Sequence, residues 1–203
     1  MDARNVVGTL DNLASQGAAV IISLIDGIDR DQYIGVVDLM YHYTVGSEAR
    51  LASAASKATE PDLHQLLSYM VDEEKEHYKL AVADLRAFGR VPTKETPDRV
   101  RRYEDHWFSL TTQSQFGYAG LLYALESIPP LLASACHRGI ARLDLQAEQT
   151  QFLRLHLVAD EEHSALARSI CVRHAGEFGE QMVEAGRESC ARWVHMLCEP
   201  FGR

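Results

Sequence analysis

Apolar residues recur along most of this chain at spacings of three and four, the period of a helix that buries one face. No stretch shows the sustained apolar–polar alternation of a half-buried strand. The pattern and its punctuation predict a succession of helices. The first covers roughly residues 4–26. The second begins near Asp31 as N-cap and runs to about Lys57, with Val36, Val37, Met40, Val45 and Leu51 on its apolar positions. Pro61 is tolerated in a first turn and opens a third helix, which runs to Phe88 and stops at Gly89. Residues 90–97 read as a loop. Helices follow over about 98–109 and 114–127, where Pro129-Pro130 breaks the run, and over 130–139. A long helix spans about 144–174. The stretch from Gly176 to Gly179 punctuates it, and a last helix ends near Cys198. Seven or eight helices with short joints define an all-α bundle, read as a single domain over residues 1–203.

Composition narrows the classes. A chain of 203 residues can bury a sizeable core. Its formal charge of −9 and its lack of any basic run argue against a nucleic-acid surface. The apolar run 18–25 is too short to span a bilayer, and no basic segment or small-residue cleavage site frames it as a signal peptide. The expectation is a cytoplasmic protein with no membrane segment. Cys136, Cys171, Cys190 and Cys198 lie apart without a Cys-x-x-Cys pair. They read as buried thiols, and their scatter argues against zinc–thiolate and iron–sulfur sites.

Three segments carry the candidate chemistry. In the long helix, His156, Asp160 and His163 fall within roughly 60° of one another at about 100° per residue. Leu153, Leu157, Ala167 and Ile170 lie close to the same stripe, so it faces inward. Burying three such groups unpaired is costly, and together they are a ligand set for a first-row transition metal. In the third helix, Glu74 and His77 stand at i, i+3, and Glu73 and His77 at i, i+4. Either pair can meet one metal ion, and Glu-x-x-His recurs in di-iron bundles because one turn brings the two groups side by side. Glu126 closes the apolar segment 119–125 just before Pro129-Pro130, where a buried carboxylate needs a partner. Three carboxylates and three imidazoles suffice for two ions, and the mix suits iron or manganese.

With these residues in place, the chain resembles the haem-oxygenase-like di-iron oxidases and oxygenases over residues 31–174. The resemblance rests on Glu74-Lys-Glu-His77 followed by the helix ending Asp84-Leu-Arg-Ala-Phe-Gly89, on Leu121-Leu-Tyr-Ala-Leu-Glu126, and on His156, Asp160 and His163. It implies a seven-helix bundle of the haem-oxygenase type and two Fe(II) ions per chain, with manganese the alternative. It also implies O2 as co-substrate and oxidation of a small molecule, an amino acid or a derivative of one, within a biosynthetic pathway. The matching glutamates, histidines and aspartate would be the ligands, with His77 and a glutamate on one ion. His156, Asp160 and His163 would supply much of the other site, and Glu126 the bridge. Members often carry a further carboxylate before the Glu-x-x-His helix or one to two turns ahead of its histidine. Here Met70 stands seven residues ahead, and the earlier helix offers His42 and Glu48 instead. Tyr43, Tyr118 and Tyr123 lie near the ligands in sequence, Tyr43 and Tyr123 being candidates to line the substrate site. Arg102, Arg138 and Arg142 are candidates to grip a substrate carboxylate. An apolar helical surface fits a homodimer.

Three other readings are open at this point. A ferritin-like four-helix bundle would use Glu48, Glu74 with His77, Glu126, and Asp160 with His163, leaving His156 unexplained. A thiaminase-like hydrolase would need a nucleophilic cysteine, for which Cys136 is the mid-chain candidate. A helical module that binds metal or a partner without catalysis is the third. Nothing near the N-terminus singles out a proximal histidine for haem.

Overall fold

The computed structural model describes residues 1–198 and 201, and among these every regular element is helical. α1 (Ala3–Ile25) starts at Asp2, whose side chain accepts from the Asn5 amide. α2 (Arg30–Val45) starts at Asp29, not at Asp31: Asp29 and Gln32 form a reciprocal capping box that occupies two otherwise orphaned amides. α3 (Ser47–Lys57) follows after a break at Gly46. α4 (Pro61–Glu74) has its proline in the first turn, as the sequence indicates. α5 (Tyr78–Ala87) ends at Gly89, which adopts a φ of 69° that lets the Arg90 amide reach back to the Leu85 carbonyl. α6 (Asp98–Gln113), α7 (Gln115–Glu126) and α8 (Ile128–Arg142) follow, α8 carrying Pro129 and Pro130 in its first turn. A 3₁₀ turn (Ala147–Gln149) leads into α9 (Gln151–Cys198).

Two expected helices are therefore broken rods. The second divides at Gly46, and the third over residues 75–77. Counting α2 with α3 and α4 with α5 leaves seven rods, as the resemblance implies. The break at Gly46 has a visible occupant. Arg50 donates to the Tyr43 carbonyl, freed by the end of α2, and pairs with Glu104 of α6 at 2.9 Å. A Cβ at position 46 would collide with both members of that pair.

α7 is the centre of the bundle. Its residues from Phe116 to Leu125 are all buried, which is why the sequence there carries no polar face. By length and composition the span Gln115–Arg142 could cross a bilayer, yet here it is mostly core. α7 packs against α9, α1 and α6. The Cys171 thiol donates to the Ala119 carbonyl, while Gly120 lies directly against the backbone of Met182. One turn of α7 thus touches two points of α9 eleven residues apart, which a straight helix would hold about 16 Å from each other. α9 bends between them, over the stretch that holds Gly176 and Gly179. The expected interruption is thus a bend within one 48-residue helix.

The start of α9 is held from outside. Asp84 of α5, fully buried, accepts from the Gln151 and Phe152 amides at 2.9 and 3.0 Å. It acts as an N-cap supplied by another helix. Burial pushes its carboxyl up to about 6, although those two amides pull the other way.

The close crossing of α7 and α9 gives a test. A Cβ at Gly120 would sit 2.2 Å from the Met182 carbonyl oxygen, with backbone on both sides and nothing flexible to yield. Gly120→Ala is expected to cost ~1–3 kcal/mol. Gly176→Ala meets nothing within 4 Å and is expected to gain up to ~1 kcal/mol through helix propensity. Denaturant midpoints of the two variants check both signs.

Candidate metal centre

Four segments converge at one end of α7. α4 ends at Glu74, and the chain then tightens. The His77 amide bonds to the Glu74 carbonyl, and those of Lys79 and Leu80 bond to Glu76 and His77. All three are i to i−3 bonds, the 3₁₀ pattern, in which side chains three apart eclipse. The local winding therefore selects Glu74 over Glu73 as the partner of His77. Glu74 Oε2 lies 2.9 Å from His77 Nδ1, both side chains being 11% exposed, whereas Glu73 faces outward.

α9 supplies His156, Asp160 and His163 from one stripe. Seven residues of α-helix rise about 10 Å, too far for the two histidines to share an ion. The surrounding side chains divide accordingly. Glu74, His77 and His156 form one group, and Glu126, Asp160 and His163 form another. Within each group the candidate ligand atoms lie within 4.8 Å of one another. His163 Nδ1 lies 3.5 Å from Glu126 Oε2 and 3.9 Å from Glu74 Oε1. The two oxygens of Glu74 therefore face both groups. The grouping differs from the expectation in two respects: His156 stands with His77 and not with His163, and it is Glu74, not Glu126, whose two oxygens face both groups.

The donor set suits a pair of divalent cations. His77 Nδ1, His163 Nδ1 and Asp160 Oδ1 are buried without a hydrogen-bond partner, a costly state for polar atoms unless something else satisfies them. The His77–Glu74 contact is short, but it lies off the direction of a ring N–H bond. His156 donates from Nδ1 to the Phe152 carbonyl at 2.9 Å, which leaves Nε2 with its lone pair toward Glu74 and His77.

The electrostatics report the crowding of three carboxylates. Burial, then Glu126 and Glu74, hold the Asp160 carboxyl well above its usual range. Burial also raises Glu126, although His163 pulls against it. Glu74 is pushed up by burial, but His77, His156 and His163 outweigh this and hold it low. Burial pulls His163 down, and Glu126 and Glu74 more than reverse that, so its ring sits above the ordinary value. Burial keeps His156 below it.

The remaining candidates lie elsewhere. Glu48 is exposed on α3, so neither a fourth carboxylate nor the ferritin-like arrangement is formed. His42 is buried, but its Nε2 bonds Thr93 Oγ1 at 2.8 Å, making it a satisfied core histidine. The Tyr123 hydroxyl donates to Asp11 of α1, away from the cavity. Arg138 pairs with Asp26 and Arg142 donates to the Ile25 carbonyl, both at the surface, and Arg102 is exposed. Tyr43 does line a cavity beside the cluster, of about 200 Å³, which Glu74, Glu126, His156 and Asp160 also border. Cys136 is a wall residue of that cavity, and burial pushes its thiol up to about 11, which leaves little thiolate for a nucleophile. Sequence reasoning missed Arg50, buried and bordering the same cavity. Its place on the inward stripe of Ser47, Leu51 and Ala54 was the available signal.

Comparison with known proteins gives the family and the fold. Residues 35–194 match the family described as iron-containing redox enzymes, and the chain belongs to it. The fold is that of haem oxygenase. A domain of unknown function from Shewanella denitrificans with a haem-oxygenase-like fold superposes with a TM-score of 0.79 at 15% identity, over 98% of this chain and 90% of its own. A TenA homologue from Pyrococcus furiosus superposes with a TM-score of 0.76 at 14% identity, over 97% of this chain and 98% of its own. No curated protein matches the sequence significantly.

Asp160, Glu126 and His163 all hold protons more tightly than usual, so a cation bound there would compete with protons for them. Lowering the pH adds to those protons, so affinity for Fe(II) or Mn(II) should fall on acidification, by roughly tenfold per pH unit for each proton displaced. For the same reason the rise in Tm on adding Mn(II) should be larger at neutral than at mildly acidic pH. Thermal melts over a pH series check this. A pH-independent shift would mean that these groups are not the ligands.

Proposed function

We propose that this protein is a non-haem di-iron enzyme that activates O2 and oxidises a small organic molecule held in the cavity beside the cluster. The observation that carries the reading is Glu74, whose two carboxylate oxygens face two separate three-residue groups. Membership of an iron-containing redox family supports iron as the metal. A carboxylate- and imidazole-rich donor set without thiolate fits the same choice.

A pair of ferrous ions held by Glu74, His77, His156, Glu126, Asp160 and His163 would supply the electrons for reducing O2 next to the substrate. The residues of this chain do the rest. His156 is held in one tautomer by the Phe152 carbonyl, and Phe152 is in turn fixed by Asp84. Glu74 ties α4 to α9 through its contact with His163 and would hold an oxygen toward each of the two groups. The apolar cavity wall keeps bulk water from the cluster, which preserves the field of its charges. The high Cys136 thiol pKa and the absence of any assigned role for the ligand cluster disfavour a thiol-based hydrolase on the same fold.

Anaerobic titration with Fe(II), followed by mixing with O2, tests the proposal. Two irons per chain and a transient visible absorption band are expected. Glu74→Ala should lower affinity at both positions, whereas His156→Ala should empty one and leave the other. The loss in affinity should exceed the roughly 10–100-fold typical of a second-sphere change. Less than one bound iron per chain with no O2 consumption would overturn the reading.

A further inference from the structure

The cavity that meets the ligand cluster is far longer than the cluster requires. Its wall runs from Glu126 and Asp160 past Leu125 and Leu132, along α1 at Ile21 and Leu24, to the end of α8 and to Trp193 and Leu197 in the last turns of α9. Most of that wall is apolar, chiefly aliphatic with a few aromatic rings. Among the described residues, the only charged side chains on it are Arg50 and members of the ligand cluster. Three of its hydroxyls, those of Thr44, Tyr33 and Ser47, are already engaged. Thr44 donates to the Met40 carbonyl, Tyr33 to the Gln149 carbonyl, and Ser47 accepts from Arg50. A substrate with polar groups at both ends would have one of them stranded against hydrocarbon, at a cost of some kcal/mol.

Arg50 supplies the chemistry at the polar end. It is 1% exposed and lies over the rings of Tyr43 and Trp107, which also border the cavity, at 4.5 and 5.3 Å. Its Nη atoms bond Glu104, Tyr43 and Ser47, but its Nε is buried without an acceptor. One N–H of a buried cation is therefore left for a ligand.

We infer that the substrate of this site is an elongated aliphatic molecule with a single acidic end, its acid group at the Arg50 and ligand-cluster end and its chain along the α1–α8 wall. The inference rests on the di-iron reading for the oxidation itself, but not for the binding. It departs from the expectation of an amino-acid substrate, because a free α-amino acid presents an ammonium and a carboxylate together and no long chain to fill the wall.

Both tryptophans of the chain, Trp107 and Trp193, border the cavity, so intrinsic fluorescence reads its occupancy. Straight-chain saturated acids from butanoic to hexadecanoic would be titrated alongside leucine, lysine and tyrosine. The protein would be used both anaerobically loaded with Fe(II) and stripped of metal. Affinity for the acids is expected to rise about fourfold per methylene until the cavity is full and then to level off. The alcohol of the best chain length should bind roughly tenfold more weakly than the acid. Cys136→Phe should move the plateau to a shorter acid, and Ile140→Phe does the same should the first variant fail to fold. Absence of chain-length dependence, or amino acids binding as tightly as the longest acids, would overturn the inference. Chain-length-dependent binding without iron-dependent O2 uptake would sink the di-iron reading and leave this one standing. O2 uptake stimulated by amino acids alone would do the reverse.

Discussion

Three carboxylates in the interior of a helical bundle set the terms for everything around them. Glu74, Glu126 and Asp160 come from α4, α7 and α9 and approach one another where water is scarce. Ionised and alone, such a group would cost several kcal/mol to bury, and three would repel one another as well. The fold answers with three imidazoles, two from α9 and His77 from the turn after α4; burial and mutual repulsion leave Asp160 and Glu126 high, while the imidazoles hold Glu74 low. Two divalent cations would offset that repulsion with a stronger interaction. On this view the cluster is a weak point of the metal-free fold and a source of stability in the loaded one.

The scaffold keeps that cluster in place by packing backbone against backbone. Gly120 and Gly186 let α7 and α9 touch without side chains between them, and the bend of α9 wraps the long helix around the central one. Asp84 pins the first turn of α9 from α5, one turn ahead of His156. The 3₁₀ turn between α4 and α5 aims Glu74 and His77 together. Asp84 and the 3₁₀ turn act within about two turns of a candidate ligand, so local geometry and the ligand cluster are coupled.

The cavity shows a different economy. Its wall is made almost wholly of side chains that would be core in any bundle, and only its position against the ligand cluster gives it a role. Arg50 is the exception: a buried cation, satisfied except at one nitrogen, at the end where the charged groups lie. A pocket so poor in polar groups selects by length and shape, with a few polar atoms fixing orientation.

Much of this was legible from residue spacing. Helical periodicity is a local property, so the all-α class, the caps at Pro61 and Gly89, and the common stripe of His156, Asp160 and His163 follow from the sequence itself. So does the choice of carboxylate and imidazole over thiolate as the site's chemistry. The tertiary structure decided what local rules leave free. Spacing allowed either Glu73 or Glu74, and a tightened turn chose Glu74. It gave no reason to separate His156 from His163, and the rise of the helix against the neighbouring rods placed them in different groups. His42 and Glu48 had the right side chains, yet the packing of α2 and α3 turned one toward Thr93 and the other to solvent. The cavity and Arg50 became visible only once the helices were assembled. The distances between rods are set by side chains far apart in the chain, which no local period encodes.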